Sequence, residues 1–200
     1  MDFDDQIEQF LLLDDLMKIS IIGFSIIESE IEKLINLGLG EGHQVEVKKM
    51  SVRIKVDLAI ALGTFPHSYK GIFGKLADLR NEYAHKVYIG SIPMPLHHIK
   101  SSLSSSQHAA LKLKNSYTDT EVLRYAILST ILVARQCAKN FSRRSKKKAN
   151  TGSLHTLSLG LPTFDTAVIE KQLLSMVELV QEELISKCAY EALDKLDMQQ

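Results

Sequence analysis

Between residues 76 and 88 the chain reads "LADLRNEYAHKVY", and three of these residues could do chemistry together. His85 carries an imidazole that can take or give a proton near neutral pH. Arg80 carries a fixed guanidinium fork, suited to a phosphate oxygen and to the charge that builds on it during reaction. Asn81 adds an amide able to position His85 or the phosphate. The set suits breaking a phosphodiester without a metal ion, with Asp78 and Tyr88 as supporting groups.

The spacing says how a helix would present them. Ile72, Leu76, Leu79, Tyr83 and Val87 recur at offsets of 4, 7, 11 and 15, the repeat of a single apolar helical face. With that stripe turned to a core, Asp78, Asn81, His85 and Tyr88 fall within about 80° of one another on the other side. Arg80 sits at the stripe's edge, roughly 140° from His85. Small Ala84 leaves the arginine room to lie along the helix toward the imidazole. The plainer alternative is a solvated polar face beside a snorkelling arginine.

The surrounding elements read as an all-α chain. A first helix or helix pair over 3–38 repeats Ile19, Ile22, Ile26, Ile31, Leu34 and Ile35 and ends at Gly38, Gly40 and Gly42. Residues 45–62 leave two options. Val52, Ile54, Val56 and Leu58 alternate as in a strand, yet "DLAIALG" suits a helix stopping at Gly63. Pro66 opens the motif helix, which runs to about Tyr88 before "GSIPMP" breaks it. A short helix over about 96–104 follows. Thr118 and Glu121 stand at capping-box spacing and start a long buried helix to about residue 142. The predicted organisation is an up-and-down bundle of about five helices over 1–142, then a basic polar linker over 143–164. A C-terminal helix over 165–200, striped by Ile169, Leu173, Met176, Val180 and Leu184, packs on the bundle.

Composition narrows the classes. The chain holds 24 Lys and Arg against 24 Asp and Glu, so a general-purpose DNA coat is disfavoured. The charges are nevertheless segregated. Asp2, Asp4, Asp5, Glu8, Asp14 and Asp15 make an acidic start, and Lys139, Arg143, Arg144, Lys146, Lys147 and Lys148 a basic block. Arg143, Arg144 and Lys146–Lys148 could hold RNA phosphates. A solvated linker is the plainer reading, since Phe141 is the single aromatic residue nearby. No recognition helix for sequence-specific DNA binding stands out. The richest apolar run, "ISIIGFSII", is nine residues long, short of the roughly 20 that cross a bilayer. With no leader-like start, the expectation is a cytoplasmic protein without a membrane span. Cys137 and Cys188 lack CxxC spacing and read as packing residues. His97 and His98 lack partner ligands, and no Gly-rich phosphate loop occurs, so neither metal nor cofactor is expected.

"RNEYAH" resembles the R-N-x-x-x-H motif of the HEPN superfamily of helical bundles. The wider stretch "MSVRIKVDLAIALGTFPHSYKGIFGKLADLRNEYAH" is similar to the mannitol operon repressor family within that superfamily, and "LMKISIIGFSIIESEIEKLI" fits its preceding long helix. The similarity covers roughly residues 10–90 and favours helix for 45–62. It implies a homodimer in which two motif helices form a shared cleft. It also implies a metal-independent endoribonuclease of toxin–antitoxin, defence or RNA-processing type, with Arg80 and His85 as the catalytic pair and Asn81 assisting. A protein partner, antitoxin or regulator, would accompany it. Toxin members of one branch carry a tyrosine two residues after the histidine, whereas here Tyr88 stands one place later. Because mannitol-repressor-like members are described as regulators, the alternative implied is a non-catalytic transcriptional regulator or adaptor.

Overall fold

The apolar repeats become helices, and glycines, prolines and side-chain caps set their ends. In the computed structural model, which describes residues 3–86, 97–103, 108 and 118–151, six α-helices follow one another. They are α1 (Phe3–Leu11), α2 (Leu16–Leu39), α3 (Val52–Ala61), α4 (Lys70–Lys86), α5 (His97–Ser102) and α6 (Asp119–Thr151). Short 3-10 turns cover Val47–Lys49 and His67–Tyr69. Among the described residues there is no strand, so the chain is an all-α bundle.

The stretch that alternates like a strand is therefore α3. A lone strand has no ladder to join. Wound as a helix, the same residues turn Lys55, Val56 and Ala59 inward.

Helix α2 is the axis of the bundle. Asp15 caps its start by accepting from the Lys18 amide at 2.8 Å. Gly40, at φ +79°, ends it in a conformation that a side chain would strain. Helix α6 lies along α2 in the same direction. Arg124 donates to the Leu13 carbonyl at one end, Ile127 lies against Gly23, and Arg135 approaches Glu30 at 3.8 Å further on. Thr118 and Glu121 close the expected capping box, with the Thr118 amide donating to Glu121 Oε2 at 2.7 Å. Helix α4 crosses α2 on another side, Phe24 against Phe73 with ring centroids 5.3 Å apart. Helix α3 pairs with α4 through Lys70–Asp57 at 2.6 Å and Arg53–Asp78 at 3.6 Å.

Two sequence expectations shift. Ile22 is exposed and Ile26 half-buried, while Phe24 and Ile27 take the core positions. "ISIIGFSII" is apolar all round, so its periodicity cannot choose the buried face. The long helix also does not stop near residue 142 but continues through the basic run to Thr151. Lysine and arginine are good helix formers, and no glycine or proline interrupts 119–151. The last part of the expected linker and the expected C-terminal helix over 165–200 lie outside the described residues, as do Tyr88 and "GSIPMP".

Gly23 makes the close packing of α1, α2 and α6 possible. A Cβ there would stand 2.7 Å from both Ile127 Cγ2 and Phe10 Cε2. Gly23→Ala gains up to about 1 kcal/mol of helix propensity, but overpacking of this kind costs about 1–3 kcal/mol. The expected net result in urea unfolding is a lower midpoint, and a raised midpoint would contradict this packing.

Candidate functional site

The motif residues depend on how α4 is held. Pro66 precedes the 3-10 turn that leads into α4, and Thr64 just before it donates from its hydroxyl to the Ala59 carbonyl at 3.0 Å. Gly38 at the end of α2 lies so close to this turn that a Cβ would come within 2.9 Å of Thr64 Cγ2. From this anchored start, Ile72, Leu76 and Leu79 face the core as the spacing predicted, all essentially buried.

Asn81 and His85 are exposed, on the side of α4 away from that stripe, and Arg80 is half-buried at its edge. Arg80 Nη1 donates to Asn81 Oδ1 at 3.0 Å. The guanidinium thus engages the neighbouring amide instead of lying over Ala84 toward the imidazole. An acceptor one residue away is reached with less ordering of the long side chain. Among the described residues, no hydrogen bond joins His85 to Arg80 or Asn81. Asp78 is half-buried and pairs with Arg53 of α3. With Arg53 exposed and Asp78 still open to solvent, that pair adds little stability. Of the basic residues, Arg143 is exposed, and Arg144 and Lys146–Lys148 continue along α6.

Three further polar groups are buried, and of these the spacing pointed only to Tyr83, in the stripe, and Cys137, as a packing residue. Tyr83 sits in the apolar stripe with its hydroxyl buried and without a hydrogen-bond partner among the described residues. Burial raises its pKa above the ordinary 10, and the charges of Asp15 and Glu82 add to the effect. Lys55 is buried between α2 and α3, its ammonium 2.5 Å from Glu28 and 2.6 Å from Glu32. Cys137 is buried and its thiol is pushed up to about 12, which removes it as a nucleophile.

A groove of about 430 Å³ lies between α1 and α2, lined by Gln6, Phe10, Ile22 and Ser25 among others. None of the motif residues lines it. Among the described residues, no three His, Cys, Asp or Glu side chains gather as they would around a metal ion. No described helix is long and apolar enough to cross a membrane. Among the described residues, α4 therefore offers an exposed polar face, with a guanidinium hydrogen-bonded to an amide and an exposed imidazole beside them. No family model matches the chain, and neither a curated protein nor a solved structure matches it significantly.

Proposed function

We propose that the outward face of α4 is one half of a metal-independent ribonuclease site completed by a second copy of the chain. The observation carrying this reading is the joint exposure of Asn81 and His85 opposite the buried Ile72–Leu76–Leu79 stripe, with Arg80 anchored beside them. The RNA 2′-oxygen attacks the adjacent phosphorus, forming the 2′-O–P bond as the bond to the 5′-oxygen breaks. One imidazole removes the 2′-hydroxyl proton, and a second protonates the departing 5′-oxygen. A monomer holds a single His85, which is why the reading requires two copies. Arg80 stabilises the charge on the phosphorane oxygens. Asn81 positions Arg80 through their bond, where sequence reasoning had it orient His85 or the phosphate.

A second reading has its own support. Arg80 spends its bond on Asn81 and none on His85, as suits a non-catalytic regulator or adaptor that uses the face to bind a protein or a second copy. Purified full-length chain with single-stranded RNA in chelator separates the two, with sedimentation run alongside. The ribonuclease reading predicts cleavage by the native chain and a loss of about 10²–10³-fold for Arg80→Ala, the variant staying dimeric. RNA left intact by the native chain, together with an Arg80→Ala variant that falls to monomer, supports the regulator and overturns the nuclease.

A further inference from the structure

We infer that the C-terminal half of α6 is a nucleic-acid arm that grips the phosphate backbone without reading sequence. The charge distribution is the first ground. From Val122 to Phe164 the chain contains eight Lys and Arg and no Asp or Glu. All the rest therefore holds 16 cations and 24 anions. A neutral protein has gathered its positive charge into one segment, six of the eight lying between Lys139 and Lys148.

The structure turns that segment from a presumed linker into part of a continuous helix, which is the second ground. Glu30 of α2 lies level with Arg135 of α6, and the two helices run the same way. Nine residues on, Leu39 ends α2 where α6 reaches Arg144. Beyond that level α6 continues to Thr151 past the end of its main partner. Cys137 is buried, whereas Lys139 and Arg143 further along α6 are exposed. At about 100° per residue, Lys146 and Lys147 share the register face of Lys139 and Arg143, opposite the face of Ala134 and Cys137. From Lys139 to Arg143 and from Arg143 to Lys146 the charges on this face rise about 6 and 4.5 Å along the axis.

Cations near a helix C-terminus favour the macrodipole, but that effect fades within the last turn. It leaves Lys139, Arg143 and Arg144 unexplained. A lipid surface is the other polyanion to consider. Helices that lie on membranes need an apolar face to bury, and in "KNFSRRSKKKANT" Phe141 is the one large apolar residue. Lacking further aromatics, the arm has nothing to stack on bases. Backbone contact with counterion release is what remains, giving affinity that falls steeply with salt. This holds whether or not Arg80 and His85 are catalytic.

Full-length chain, titrated into a fluorescein-labelled 20-nucleotide oligouridylate in chelator, tests the arm by anisotropy at 50 and 200 mM salt. Six neutralised phosphates predict an affinity drop of about 300-fold over that range. A variant with Lys139, Arg143, Arg144, Lys146, Lys147 and Lys148 all changed to glutamine is expected to lose most binding and most of the salt slope. Glutamine keeps helix propensity close to lysine's, and circular dichroism checks the fold. A DNA strand of equal length should bind comparably, and phosphatidylserine vesicles should not compete. Salt-insensitive binding, native affinity in the six-fold variant, absent oligouridylate binding, or displacement by the vesicles would each overturn the inference.

Discussion

His85→Ala is expected to slow RNA cleavage by about 10²–10⁴-fold, the usual worth of a positioned proton-transfer group. The same change should leave folding stability within about 0.5 kcal/mol, as for other exposed positions without special contacts. His85 is exposed and close to the end of α4, with no contact to the core among the described residues. Asn81→Ala acts differently, since it frees Arg80 from its 3.0 Å bond without removing the guanidinium. Its loss should be smaller than that of Arg80→Ala and should disappear in the Asn81→Asp variant, which keeps an acceptor. Cleavage rates measured beside urea midpoints check all four variants. A large drop in the midpoint for His85→Ala would mark the residue as structural.

The Glu28→Gln/Glu32→Gln double variant is expected to lose about 3–5 kcal/mol of stability, the cost of leaving a buried charge without its partners. Lys55 is the more buried member of the cluster, its side chain 3% exposed against 26% and 20% for the two carboxylates. Lys55→Met should therefore cost far less. The carboxylates can regain water, and the thioether chain fills the lysine's space. Urea unfolding of both variants checks the order, and a Lys55→Met loss above that of the double variant would contradict it. Burial alone would depress the lysine pKa, but hydrogen bonds and charges from Glu28 and Glu32 outweigh it and hold it above the ordinary 10.5. A group raised on folding contributes fully below its unfolded pKa and loses that contribution as pH climbs through the folded value. The native chain should keep this contribution up to pH 10.5 and weaken only beyond it.

How much of this was legible in the sequence varied with the kind of signal. The stripe of α4 repeats over a helix whose other face is polar, so both its type and its orientation followed from spacing. Asn81 and His85 emerged exposed for the same reason. In α2 the helix itself was clear, but an apolar surface all round left Ile22 and Phe24 indistinguishable until α6 and α4 packed against it. Alternation in 52–58 left strand and helix open on pattern alone, the resemblance favoured helix, and burial of Lys55, Val56 and Ala59 against the bundle agrees with helix. The buried Lys55–Glu28–Glu32 cluster could not be read because it joins residues 23 and 27 positions apart. Polar, charged "SRRSKKK" suggested a linker, yet lysine and arginine extend a helix as readily as they fill a loop. The turn of Arg80 toward Asn81 depends on a rotamer, which lies below what spacing specifies.

Transesterification by paired imidazoles leaves defined chain ends and proceeds in chelator, which silences metal-dependent nucleases. A defined single-stranded RNA, incubated with the purified chain in excess chelator and resolved by mass spectrometry, should give 2′,3′-cyclic phosphate and 5′-hydroxyl ends. The same RNA should stay intact with His85→Ala. Products bearing 5′-phosphates, cleavage that chelator abolishes, or native protein that leaves the strand whole at high concentration would contradict a phosphodiester-cleaving site on α4.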